Sequence, residues 1–434
     1  MTIHVVQPGE TISSIADYYK MPVTKLIQDN GLEAAANLVL GQTIVIAVPL
    51  QVYTVQDGDT LDKIAAEYDV SVMQLLRNNS YLSDREYLYP GDTIVISYDN
   101  TKGSITTNGY ANTFIDRRIL RKTLPYLTYL SIFGYRTTAD VDIIGVSDDN
   151  ELIEISKAYG VAPIMLLSTL TFEGIGSYEA VYTILSNEEM TNRHINNIVN
   201  ILKTKGYYGL NTSFLFFDAQ NRPMYENYIT KLSSRLNQEG FALFVTIIPE
   251  VTINLNEITF FRNDYSILGM EADGLTIMNY NWGYNFGPPL PVVSVNGISK
   301  FLDYAVTQVP PEKIDIGFTV LGYDWELPYV IGFSRAVSLT PDSAITLARE
   351  VGAIIQFDEL SQTPFFEYVE NRFGVPIRHI VRFIDARSVD GMLSLVINYK
   401  IRGIGLWNIM NYFAQAWLVI NTQYEIVKVN PEDL

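Results

Sequence analysis

The sequence predicts an α/β protein in which two small βααβ domains precede a (β/α)8 TIM barrel that carries an inserted subdomain. Three observations predict it. One pattern occurs twice before residue 98. Eight apolar strand candidates then alternate with helical stretches, which favours a closed barrel over a doubly wound sheet. A long gap before the last of those strands leaves room for an insertion near 326–385. The expected units are 1–48, 50–98, a linker over 99–108 and a barrel over 109–434.

The repeat is the clearest signal. VVQPGETISSIADYYKMPVTKLIQDN begins at Val5 and YTVQDGDTLDKIAAEYDVSVMQLLRNN at Tyr53. Thr11 aligns with Thr60 and Asn30 with Asn79, an offset of 49 in both cases (60 minus 11, 79 minus 30). Each copy ends in a turn and an apolar strand, LGQTIVI at 40–46 and PGDTIVI at 90–96. A short strand leads to a Gly turn, and Thr11 or Thr60 caps the following helix. Leu61, Ile64, Ala65 and Tyr68 then recur at helical spacing. Such a unit has a thin core for its size.

YDNTKGSITTNG, 98–109, is polar and turn-rich and reads as a linker. The strand candidates after it are 127–135, 141–146, 162–170, 207–217, 242–250, 273–282, 314–325 and 401–410.

Composition narrows the partners. Hydrophobic residues make up 48% of the 434, charged residues 18% and aromatics 12%, an ordinary globular balance with ample core material. A net charge of −18 argues against nucleic acid, which needs clustered Lys and Arg, and against anionic membrane surfaces. No apolar run approaches the roughly 20 residues of a membrane span. With no cysteine, disulfides and thiolate metal sites are excluded. His4, His194 and His379 are far apart and show no ligand spacing, so neither a catalytic metal nor another cofactor is expected. The N-terminus MTIHVVQPGE has no basic region followed by an apolar run, so a cleavable secretion signal is not expected.

The G-[ED]-T turn, the I-A-x-x-Y helix, the terminal Asn and the [LP]-G-[QD]-T-I strand together resemble the LysM domain, in both copies and along their whole length. That resemblance implies binding to N-acetylglucosamine chains, chiefly of peptidoglycan and chitin, in a shallow groove. One side of the groove would be Gly9, Glu10, Thr11 and Ile12 in the first copy, and Gly58, Asp59, Thr60 and Leu61 in the second. Leu40 and Gly41, or Pro90 and Gly91, would form the opposite wall. The same residues also suit a purely structural role in turns and caps. Tandem modules would raise avidity on a polymer.

MNYNWGYNFGPPLPVVSVNGISKFLDYAV, PPEKIDIGF, GYDWELPY, DARSV and GIGLWNI resemble family 18 glycoside hydrolases, in the branch of LysM-bearing spore cortex-lytic N-acetylglucosaminidases. In that family the substrate's N-acetyl group is the nucleophile. The resemblance implies an acid glutamate at the end of the fourth strand and an aspartate two residues earlier. Both lie on one face, because strand side chains alternate. It also implies sugar contacts from Asn211, Tyr280, Trp282, Trp325 and Trp407, although buried aromatics in barrels are usually core.

This chain departs from the pattern at the chemistry. GLNTSFL, 209–215, puts Ser213 at the aspartate position and Leu215 at the glutamate position. Leucine donates no proton and serine is far too weak an acid; loss of the general acid alone costs about 10²–10⁴ in rate. Asn281 and Ile384 also stand where the branch has carboxylates. The expectation is a binding or scaffolding protein of the spore envelope, at the coat–cortex boundary, with an inactive barrel and no catalytic residue. Two alternatives stay open. One is an active N-acetylglucosaminidase with a relocated acid, for which Asp218 is the candidate and Glu250 and Asp324 lie at neighbouring strand ends. The other is a structural coat protein whose barrel binds other spore-envelope proteins.

Overall fold

A computed structural model describes residues 1–33, 37–85, 87–99, 102–145, 148–168, 178–213, 221–254, 257–278, 285–430 and 432. Eight parallel strands close into a barrel: β1 Ser104–Asn112, β2 Tyr129–Thr137, β3 Ala162–Ser168 and β4 Gly209–Ser213, then β5 Ala242–Ile247, β6 Gly274–Met278, β7 Ile314–Thr319 and β8 Gly403–Trp407. Closure is made by β1, which pairs with β2 on one side and β8 on the other.

The strand assignment needs three corrections. The segment read as a linker contains β1. Its polar residues are used inside the fold: the Thr107 hydroxyl donates to the Tyr126 carbonyl at 2.5 Å and its N–H to Thr128 Oγ1 at 3.1 Å. The 141–146 candidate is not a barrel strand; among its described residues only Ile143–Ile144 is extended, antiparallel to the end of β2. One strand missed and one too many leave β4 as the fourth. Finally, the single strand expected over 314–325 is two. β7 stays in the barrel, and Gly322–Leu327 leaves it to join the inserted sheet.

That insertion is a five-stranded antiparallel sheet in the order Val337–Leu339, Gly322–Leu327, Val375–Arg382, Thr363–Arg372 and Gln356–Asp358, with helix Pro341–Glu350. Its core of Ala344, Ala348, Ile355, Phe366, Val381 and Phe383 also takes in Val39 of the first repeat.

Each repeat folds as predicted. Thr2–Val5 pairs antiparallel with Thr43–Ile46, and Gln51–Thr54 with Thr93–Ser97. Thr11 and Thr60 cap their helices by accepting from the N–H of Ser14 and Lys63. The buried asparagines do the same work in both copies. Asn30 Nδ2 donates to the carbonyls of Leu26 and Val45, and its Oδ1 accepts from Val45 N. Asn79 does so with Leu75 and Val95. Both repeats also dock on helix Ala414–Asn421. Gln415 bonds Thr43 and Asn30, while Asn421 bonds Arg77 and Asn78. No helix among the described residues is long and apolar enough to cross a membrane.

Candidate functional site

The C-terminal mouth of the barrel is the first candidate, since catalytic groups on this fold sit at strand ends. Asn211, in the middle of β4, is fully buried and points inward. Its Oδ1 accepts from Thr246 Oγ1 at 2.8 Å, and its Nδ2 donates to the Tyr110 hydroxyl at 3.5 Å. Alternation puts Ser213 on that same face, in register with Ser168 of β3. Tyr110 is 1% exposed, and burial pushes its hydroxyl up to about 12, so it stays protonated and neutral at neutral pH.

Trp407, at the end of β8, forms an aromatic floor. Its ring stacks on Phe133, centroids 4.9 Å apart and planes 30° apart, and is tilted against Tyr110 at 5.5 Å. Leu166 and Met278 pack with them. The set offers a flat apolar face and neutral polar groups, which suits a sugar ring. Phe133 was not singled out from sequence; an aromatic in the middle of an apolar strand was its only signal.

Leu215, Asp218, Tyr280 and Trp282 lie outside the described residues, as does Asn281. Trp325 belongs to the insertion, is 1% exposed, and donates Nε1–H to the Gly287 carbonyl at 3.0 Å, so it does not join the floor. Asp324 is held in the insertion by Tyr368 and His379. Glu250 is exposed and Ile384 fully buried.

The repeat grooves are the second candidate. Glu10 and Asp59 lock their turns: Oε2 of Glu10 accepts from Gln7 N–H at 2.7 Å, and Oδ2 of Asp59 from Gln56 N–H at 2.7 Å. Those backbone bonds hold both carboxyls below their ordinary range. His4 and the Tyr53 hydroxyl complete the two turns, and its bond to Asp59 raises Tyr53 to about 12. Ile12 and Leu61 are half-buried against their module cores.

The opposite walls differ. A Cβ on Gly91 would meet nothing within 4 Å, and the same holds at Gly58 and Gly9. A Cβ on Gly41 would lie 2.0 Å from the carbonyl oxygen of Ile355. Ile355 N–H donates to the Leu40 carbonyl at 3.0 Å, Arg387 reaches the Gly41 carbonyl at 3.4 Å, and Arg349 donates to the Asn37 carbonyl. The first groove wall is therefore covered by the insertion and its flank, while Pro90–Gly91 of the second is exposed. Tyr87 and Tyr89 beside it are 68% and 58% exposed.

Barrel and repeats together define a carbohydrate-directed class of protein. Residues 170–411 match glycosyl hydrolases family 18, and residues 4–47 and 53–97 each match the LysM domain; the chain belongs to that glycosyl hydrolase family and carries two LysM domains. It is 33% identical over 436 residues to a cortical fragment-lytic enzyme of Bacillus subtilis (strain 168), covering 99% of both chains. It is 30% identical over 421 residues to a putative sporulation-specific glycosylase, YdhD, of the same organism, covering 96% of this chain and 98% of that one. The crystal structure of the Bacillus megaterium QM B1551 spore cortex-lytic enzyme SleL superposes with a TM-score of 0.80 at 30% identity over 98% of each chain.

Proposed function

We propose that this chain binds peptidoglycan or another N-acetylglucosamine polymer in the bacterial spore envelope, at the coat–cortex boundary, with a barrel that no longer cuts. The observation that carries this reading is on β4: the inward face runs from Asn211 to Ser213 and continues in sequence to Leu215, with no carboxylate at any of the three. The aromatic floor of Trp407 and Phe133 supports retained sugar contact. The open groove of the second LysM domain, lined by Gly58, Asp59, Thr60, Leu61, Pro90 and Gly91, is the main glycan site in this reading. The test is co-sedimentation with purified cortex peptidoglycan, followed by mass analysis of the supernatant. Binding without released muropeptides is expected; release at the rate of an active relative sinks the proposal.

A second reading, a scaffold for envelope proteins, draws on one surface. Ile331 and Phe333, after the first strand of the insertion, are 83% and 88% exposed. Exposed apolar patches mark interaction sites. If the barrel serves that role, Ile331→Ser with Phe333→Ser releases partners captured from coat extracts without changing glycan binding.

A further inference from the structure

The three histidines show no ligand spacing in sequence, yet the inserted sheet builds a donor set around one of them. On its three central strands, His379 lies directly across from Glu326 on one side and Tyr368 on the other, and Glu370 is two residues beyond Tyr368 on the same face. Donor atoms of His379, Glu326 and Glu370 all lie within 4.8 Å of one another.

The histidine is oriented as metal-binding histidines are. Asp324 Oδ1 is 3.0 Å from Nδ1, and a carboxylate only accepts, so Nδ1 carries the proton. Tyr368 donates to the other Asp324 oxygen at 2.7 Å and its ring stacks on the imidazole, centroids 4.5 Å apart. A carboxylate behind the second ring nitrogen is the usual support of a ligating imidazole. That leaves Nε2 as the ring nitrogen turned towards Glu370. His379 is 5% exposed, and Nε2 is buried without a hydrogen-bond partner, 3.5 Å from Glu370 Oε2. A buried ring nitrogen facing a carboxylate oxygen needs positive charge between them, supplied by a bound cation or by a second proton on the ring. Ligand atoms about 2.1 Å from a tetrahedral ion stand roughly 3.4 Å apart, close to that separation.

The position already attracts positive charge. Arg372 Nη2 lies 2.7 Å from both Glu326 Oε1 and Glu370 Oε2. Its side chain is 43% exposed, so it can swing into solvent when an ion enters.

We infer that His379, Glu370 and Glu326 form a site for one divalent transition-metal ion that clamps the three central strands of the insertion. One imidazole nitrogen and two carboxylates suit zinc or its neighbours, with water completing the shell. None of its three ligands belongs to the barrel-mouth or LysM-groove residues described above, so it does not depend on the glycan reading.

The test is titration of the full chain, stripped with chelator, with zinc chloride followed by calorimetry. One zinc per chain is expected in the natural protein. His379→Gln, which removes the nitrogen ligand, and Glu370→Gln, on an exposed carboxylate, each weaken binding by about tenfold or more. Arg372→Ala removes the competing cation and tightens binding several-fold. Circular dichroism checks that the variants stay folded. Absence of stoichiometric zinc in both the natural protein and Arg372→Ala overturns the assignment, as does equal zinc affinity in the natural protein, His379→Gln and Glu370→Gln.

Discussion

The two LysM domains are built to one plan and placed in two situations. Caps, turn carboxylates and buried asparagines repeat between them nearly bond for bond. What differs is the surroundings of one glycine. Gly41 carries the Ile355 backbone against it, and Gly91 faces open space. A motif that predicts a groove thus predicts a shape and not its accessibility. In this chain one copy has become part of the wall of a larger body, and the other keeps a free edge.

The sharpest way to break that comparison is to add one methyl group to each glycine. Both positions have positive φ, +85° at Gly41 and +93° at Gly91, so alanine is strained by about 1–2 kcal/mol at either. Only at Gly41 does the methyl also meet backbone at 2.0 Å, adding an overpacking cost of about 1–3 kcal/mol. Gly41→Ala should cost about 4 kcal/mol in denaturant unfolding and Gly91→Ala less than half of that. Equal costs would mean the first domain is not docked as described.

Acid sharpens the comparison next. His194 is buried in the barrel between Thr137 Oγ1 and the Tyr228 hydroxyl, and burial pushes it down to about 4. The folded value lies below the unfolded one of about 6.5, so this contribution is whole above pH 6.5 and is lost as pH falls towards 4. The loss reaches about 2–3 kcal/mol by pH 4.5. Denaturation at pH 7 and 4.5 should show that drop in the natural protein and a flatter slope in His194→Asn. The first domain, clamped to the barrel, should unfold with it; a separate earlier transition for that domain would contradict its docking.

The smallest effect concerns binding. Gly9 and Gly58 are matched sites, both with open space around them and φ of +83° and +79°. A tryptophan at Gly58 should obstruct the open groove and weaken cortex-glycan binding by about tenfold, near 1.4 kcal/mol. A tryptophan at Gly9 should change it less than about twofold, because that groove is already walled off. Similar losses in fluorescence titrations of the two variants would show that both grooves bind.

Legibility in the sequence followed the range of the interactions. The LysM domains were readable because caps, turns and apolar spacing are local and stated twice. The barrel class was readable from apolar runs, seven of which are barrel strands, while β1 was hidden because its polar residues look like a linker and its threonines bond inside the fold. Gly109 in that strand looks like a turn residue, yet a Cβ there would strike Leu127 and Ile409. Ser213 stood out against the pattern the sequence resembles because the strand motif around it matches that pattern. Contacts such as Ile355 on Leu40, or Glu326 beside His379, join segments far apart in the chain and left no local mark.

The central claim is a cleft that holds glycan and lacks the groups to cut it. It is tested most directly by incubating cortex peptidoglycan fragments with the natural protein and with a Ser213→Asp, Leu215→Glu double variant, and following product masses. The account predicts no cleavage by the natural protein and a gain of about 10²–10⁴ over that background in the double variant. Cleavage by the natural protein at the rate of an active relative would contradict it and point to an acid elsewhere in the cleft.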